Sequence, residues 1–270
     1  MSLTESTSVL LTATDVHRVH RLPRAAWSMP WAQPGIHAAL RGVSLQLHHG
    51  ERLGLVGTSG SGKSTLLRCL LALDTPDSGR VRCEGRPVAT GNARSLRWFR
   101  RRVQYVPQDP ASTLDPRMTV ADLVAEPLRH LQVPGDRTAA VTTALARVGL
   151  DPQLASRRPG ELSGGQAQRV AIARALAPGP VALLADEPVS GLDLLVREQV
   201  VGVLADLSAR EGLALLLVSH DLSVVSALCS RTVVLDAGLV VEDRPTADLM
   251  VTPSHPRTRA LVDAVPRLPA

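Results

Sequence analysis

The chain has 270 residues, of which 44% are hydrophobic and 20% charged, with a formal net charge of +5. Its richness in Ala, Leu and Val with ordinary Gly and Pro content excludes extended disorder, and no apolar run approaches the roughly 18 to 20 residues of a membrane-spanning helix. The positive charge favours anionic partners without choosing among nucleotides, lipid headgroups and nucleic acid, but a single Tyr and a single Phe leave few platforms for stacking single-stranded bases.

The first residues, MSLTESTSVLL, lack the basic and long apolar stretches of a secretory signal, so the chain is expected to remain in the cytoplasm. Residues 43–47 alternate apolar and polar, and HHGER then turns the chain into an apolar strand at 53–56. A Gly-rich loop follows. From Lys63 the sequence STLLRCLLAL is apolar all round, as expected of a helix buried in an α/β layer, until the DTPDSG turn stops it. Arg97, Arg100, Arg101 and Arg102 then cluster and read as a solvated helix face. Between 108 and about 180 the period becomes helical, with Val120, Leu123, Val124 and Leu128 on one apolar stripe, which marks an inserted helical subdomain. Two further apolar strands end in Asp186 and Glu187 and beside His220 and Asp221, so functional side chains sit at carboxyl ends of strands, where open α/β sheets bind ligands. After Asp236, AGLVVEDRP reads as a hairpin-like end to the sheet, and the residues from Thr252 onward read as an extension. Cys69, Cys83 and Cys229 are scattered and outside CxxC spacing, so reduced, buried thiols are expected. The expected organisation is a nucleotide-binding core in two parts, 1–106 and 181–245, a helical insertion at 107–180 and a tail at 246–270.

GTSGSGKS fits the pattern GxxxxGK[ST]. Gly57, Thr58, Ser59, Gly60, Ser61 and Gly62 are expected to curl backbone N–H groups around phosphate oxygens at the amino end of a helix. In that arrangement Lys63 bridges the β- and γ-phosphates, Ser64 ligates Mg²⁺ through its hydroxyl, and Thr65 sits near the α-phosphate. Asp186 is the expected Mg²⁺-side carboxylate. Consecutive strand-end side chains diverge, which frees Glu187 to polarise the attacking water. His220 is expected to donate to the γ-phosphate. LSGGQ precedes the periodic helix QAQRVAIARAL, so Ser163, Gly164, Gly165 and Gln166 form a second phosphate-ready helix terminus. One γ-phosphate does not need two such cradles from one chain. A head-to-tail dimer, in which Ser163 and Gly165 of one subunit close over ATP held by the Lys63 loop of its partner, resolves this.

With PQDP at Gln108, the motifs run in the order GTSGSGKS, PQDP, LSGGQ, VALLADEP and VSHD, and over nearly its whole length the chain resembles the ATP-binding subunits of ABC transporters. The resemblance implies an α/β P-loop NTPase fold: a RecA-like core with an antiparallel β subdomain and an inserted α-helical subdomain that carries the signature. It makes 57–64 the Walker A loop, 162–166 the signature, and Asp186 with Glu187 the Walker B end. Gln108 becomes the Q-loop residue at the metal and γ-phosphate, residues 190–193 the D-loop with Asp193 toward the nucleotide, and His220 the switch histidine. The implied cofactors are ATP and Mg²⁺, and the implied reaction is hydrolysis of ATP.

Two further segments narrow the resemblance. QDPASTLDPRMTV is similar to the QDPxxSLNPRxTV stretch, and HPRTRALVDAVP to the HPYTRxLL segment, of dipeptide, oligopeptide and nickel importer ATPases. The LR-to-VPQDP context, residues 96–110, looks more like the F-type dipeptide or E-type nickel subunit. This implies a second ABC ATPase in a heterodimer, with a homodimer left open, two transmembrane permeases, an extracytoplasmic solute-binding protein, and a peripheral position on the cytoplasmic face of the membrane. Peptide is the favoured cargo; nickel and metal chelates stay open. The rival class is a soluble ABC-type ATPase acting on nucleic acid or the ribosome, but the chain has one motif set and no long heptad insertion. Three departures stand out. His20 occupies the position where an adenine-stacking Tyr or Phe is usual, with Trp27 or Trp31 as substitutes; Val189 and Gly191 give PVSGLD in place of PTSALD; Arg257 replaces the tail's usual Tyr.

Overall fold

A computed structural model describes residues 8–21 and 36–265. Strands β1 (Val9–Arg21), β2 (Ile36–His48), β4 (Ser78–Cys83) and β5 (Arg86–Val88) form an antiparallel sheet in the order β2-β1-β4-β5. Leu11, Ala13 and Val16 of β1, Val43 and Leu45 of β2, and Val81 and Cys83 of β4 turn to one buried face. That face packs on the second sheet.

The second sheet holds six strands in the order β10-β9-β3-β8-β7-β6, with β3 (Arg52–Val56), β6 (Val103–Val106), β7 (Ala182–Asp186), β8 (Ala214–Val218) and β9 (Arg231–Asp236) parallel and β10 (Leu239–Pro245) antiparallel at one edge. Its inner strands are apolar at successive positions because both faces are covered. Period-two alternation divides them. Ala182, Leu184, Leu216 and Val233 meet α1 (Lys63–Leu70) and the antiparallel sheet, whereas Leu183, Ala185, Leu215 and Leu217 belong to the core formed with the helices of the opposite face. These include α3 (Val120–His130), α5 (Gly164–Leu176), α6 (Leu194–Glu211) and α7 (Leu222–Leu228). The expected P-loop fold, with its antiparallel sheet and inserted helices, is the fold observed.

Helix α3 buries Val120, Leu123, Val124 and Leu128, the stripe anticipated from the period. Thr119 caps its amino end by accepting from the Asp122 amide at 3.2 Å, and the helix packs with α4 (Arg137–Arg147) and α5. The arginine cluster falls on α2 (Arg97–Arg102), and it is not simply a solvated face. Arg101 Nε donates to the Leu131 carbonyl at 2.9 Å, satisfying the carboxyl end of α3, where the helix dipole favours positive charge, and Arg97 Nη1 donates to the Gln132 side chain at Oε1, 2.5 Å away. Arg102 pairs with Glu84.

The β9–β10 hairpin appears where AGLVVEDRP anticipated it. The tail is more than an extension: α8 (Thr246–Val251) and α9 (Pro256–Asp263) fold back. Buried Glu242 on β10 accepts from the amides of Ser254 at 2.8 Å and His255 at 3.2 Å, and Thr258 and Val262 of α9 are buried. Cys69, Cys83 and Cys229 are free, buried thiols, and burial pushes each of them up, Cys229 to about 12. Among the described residues no helix is long and apolar enough to cross a membrane.

Candidate nucleotide site

Three parallel strands deliver the site to one end of the sheet. In register, Leu55 of β3 and Asp186 of β7 both pair with Val218 of β8, so the loops that follow all three strands emerge together. The loop after β3 turns tightly enough that only glycine fits at two points. Gly57 has φ +155° and a Cβ there would lie 2.1 Å from the Leu235 carbonyl oxygen; Gly62 has φ +107° and its Cβ would lie 2.3 Å from the Ala39 carbonyl oxygen. Gly62 then caps α1.

Lys63 opens α1 and is buried, with Nζ donating to the carbonyls of Gly57 at 2.7 Å and Thr58 at 2.9 Å. Burial lowers its pKa, and the nearby Glu187 and Asp186 charges partly oppose that. Asp186 is shifted upward, chiefly by burial and then by the like charge of Glu187, with Lys63 pulling the other way. Hard oxygen donors from Ser64, Asp186 and Gln108 suit Mg²⁺, which keeps few protein ligands and takes the rest from phosphates and water.

Glu187 stands at φ +46°, a left-handed conformation that is uncommon for a residue with a Cβ. Its amide is held by the Val218 carbonyl at 2.8 Å. Its two carboxylate oxygens are taken separately: Oε1 lies 2.8 Å from His220 Nδ1, and Oε2 accepts from Gln108 Nε2 at 3.3 Å. Residues predicted from three distant motifs thus converge on one carboxylate.

The cleft around them has a volume of about 580 Å³ and is lined by residues 59–65, Gln108, Asp186, Glu187, His220, His20, His37 and Ala39. That size suits a small molecule of nucleotide dimensions. His20 Nε2 lies 3.3 Å from Thr65 Oγ1. His37 is its cross-strand partner and was not anticipated; strand pairing brings it there, and no motif carries it. Trp27 and Trp31 lie outside the described residues.

Ser163, Gly164, Gly165, Gln166 and Asp193 do not line this cleft. Ser163 and Gln166 form a reciprocal cap on α5, with Ser163 Oγ accepting from the Gln166 amide at 3.2 Å and Gln166 Oε1 accepting from the Ser163 amide at 2.9 Å. Asp193 caps α6, accepting from the Val196 amide at 3.0 Å. The two caps are neighbours, since a Cβ at Gly165 would meet Val196 at 3.1 Å. They form a second surface on the same chain, polar at Ser163, Gln166 and Asp193 and apolar at the exposed Leu194 and Leu195.

The ABC transporter family profile matches residues 40–190. A Brucella ovis ATP-binding protein named for peptide import is 45% identical over 229 residues, which cover 84% of this chain and 72% of the relative. A nickel import ATP-binding protein of Rhodospirillum rubrum is 42% identical over 265 residues, 97% of this chain and 93% of the relative. Among solved structures, the ATP-binding cassette MJ0796, captured as a dimer in a post-hydrolysis state bound to ADP and Pi, matches with a TM-score of 0.75 at 29% identity, over 88% of this chain and 99% of that one. Fold, motif order and these likenesses agree: the chain belongs to the ABC transporter family, as one of its ATP-hydrolysing cassettes.

Proposed function

We propose that this cassette energises an importer on the cytoplasmic face of a membrane, working as a dimer with a second ABC ATPase, and that di- or oligopeptides are its cargo. The observation that carries the catalytic part is the double grip on Glu187 by Gln108 and His220 beside the Lys63 loop. In this reading residues 57–65 cradle the phosphates of ATP, Ser64, Asp186 and Gln108 hold Mg²⁺, and His20 with His37 faces the base. Mg²⁺, when bound, neutralises charge on the β- and γ-phosphates. Glu187 orients the attacking water and accepts its proton, while His220 keeps the carboxylate turned to the γ-phosphate. Ser163, Gly165 and Asp193 act on the nucleotide held by the partner cassette. ATP drives transport through the difference in its binding energy between open and closed dimers.

A groove of about 360 Å³ supports the coupling to permeases. It runs between the sheet core and the inserted helices, with Leu73, Phe99 and Tyr105 on one wall and Pro127, Leu131 and Arg174 on the other. Its apolar floor with a charged rim that includes Arg100, Glu126 and Arg174 fits a short amphipathic helix of a membrane subunit, and α3 beside it belongs to the inserted segment that Gln108 precedes. Nickel is the second reading, favoured by the near full-length match to the nickel import relative.

The test is to isolate the chain from its native membranes in mild detergent and identify the co-purifying proteins by mass spectrometry. Two permeases, a second ATPase and a solute-binding protein are expected, and the binding protein is then titrated with peptides and Ni²⁺. Ribosomal or DNA-repair proteins without any permease would overturn the importer reading and leave the ATPase chemistry standing.

A further inference from the structure

The turn at residues 190–193 and the loop that carries His220 are joined through Arg197, which belongs to none of the five motifs, and Asp221, the last residue of VSHD. Arg197 lies one helical turn into α6, its amide donating to the Asp193 carbonyl at 2.9 Å. Its guanidinium pairs with the Asp221 carboxylate through Nη2, which also donates to Ser223 Oγ at 2.8 Å. Asp221 is fixed from its other sides as well. Its Oδ1 accepts from the Ser223 amide at 2.8 Å, capping α7, and its own amide donates to Ser219 Oγ at 3.0 Å. The residue before it is His220, whose ring meets Glu187.

These contacts close a ring. Glu187 touches His220 through its carboxylate, and its carbonyl accepts from the Ser190 amide at 3.1 Å; the turn leads to Asp193, α6 leads to Arg197, and Arg197 returns to Asp221 beside His220. A cavity of about 130 Å³ is lined by Glu187, Ser190, Arg197, Ser219, His220 and Asp221. The ring is therefore not packed solid, and the turn can shift against the loop without compressing a core. Between turn and loop, the Arg197 pair is the charged link. Its side chains are 27% and 33% exposed, so water screens the attraction only in part. Burial alone would raise the Asp221 carboxyl, but hydrogen bonds from Ser223 and Arg197 outweigh it and hold the group below its ordinary range.

We propose that Arg197 and Asp221 are positioning residues for hydrolysis: they hold His220 against Glu187 and tie that contact to the 190–193 turn. A displacement of the turn, which lies on the second surface, is then transmitted through one helical turn and one ion pair to the carboxylate in the cleft. The inference rests on the hydrolytic roles assigned above to Glu187 and His220.

The test compares Arg197→Ala, His220→Ala and the double variant in the assembled complex, with ATP turnover, affinity for a fluorescent ATP analogue and Tm measured for each. Arg197→Ala is expected to lower kcat about tenfold, the scale of one lost charge-assisted hydrogen bond, while KM and analogue affinity stay within about twofold. Because Arg197 acts through His220, the double variant is expected to be no slower than His220→Ala alone. Arg197→Lys, which keeps the charge but not the fork, is expected to recover part of the rate. Asp221→Asn reads the same link from its other end should Arg197→Ala unfold. Normal turnover in Arg197→Ala, or losses that multiply in the double variant, would overturn the coupling. Normal turnover in His220→Ala would remove the role of His220 itself, and the inference with it.

Discussion

Glu187 combines a rare backbone conformation with the central contacts of the cleft, a pairing typical of functional positions, where a strain of order 1–3 kcal/mol is offset by surrounding bonds. Here those bonds run from its amide to Val218 and from Ser190 to its carbonyl. The side of the cleft proposed to face the base invites a direct check. His20 stands where a larger ring would stack better on a purine, so His20→Tyr is expected to tighten ATP binding by about two- to tenfold, the range of one aromatic contact, in a titration with a fluorescent ATP analogue. Unchanged affinity would mean that the base packs away from β1. At this scale the contiguous motifs were legible, because a phosphate loop is a local construction of glycines, Lys63 and Ser64 on one turn. His37 was not, since only the pairing of β1 with β2 brings it beside His20. Arg197 and Asp221 stand 24 residues apart and no local spacing joins them.

Elements are legible in sequence where a period records burial and hidden where distant acceptors decide the place of a charge. The stripe of α3 emerged from spacing alone, and the alternation in β2 marked a half-buried strand. Arg97 and Arg101 looked solvated because their acceptors lie about 30 residues onward, just past the end of α3. The tail gave only a boundary, whereas the fold fastens it through buried Glu242. Burial by itself would raise that carboxyl; hydrogen bonds from the tail, those of Ser254 and His255 among them, hold it below its ordinary range. A depressed folded-state pKa contributes stability that is fully present above the unfolded value, near about 4.3, and is lost as pH falls through the folded one. Glu242→Gln is therefore expected to cost about 1–3 kcal/mol near pH 7 and to flatten the fall of Tm below about pH 4.5, followed by circular dichroism. A variant whose Tm equals that of the wild type at pH 7 would show that Glu242 does not anchor α9.

The molecule carries two separate surfaces: the cleft with Lys63 and Glu187, and the neighbouring caps of α5 and α6 with Ser163 and Asp193, beside the exposed Leu194 and Leu195. The division of apolar strand residues between two covered faces was legible, because parallel strands buried on both sides read as unbroken apolar runs. The arrangement of the second surface was not, since it depends on how α5 and α6 pack. Head-to-tail assembly accommodates both surfaces, so a Glu187→Gln chain with ATP and Mg²⁺ is expected to associate with its partner cassette by light scattering, and Ser163→Ala to weaken that association. Persistence of separate cassettes at saturating ATP would contradict this assembly. The most direct measurement is ATP turnover alongside ATP binding for the wild type and Glu187→Gln in the assembled complex. Loss of turnover by about a hundredfold or more with ATP affinity retained is the expected result. Near-normal turnover in Glu187→Gln would contradict the role of this carboxylate and the reading of the cleft built around it.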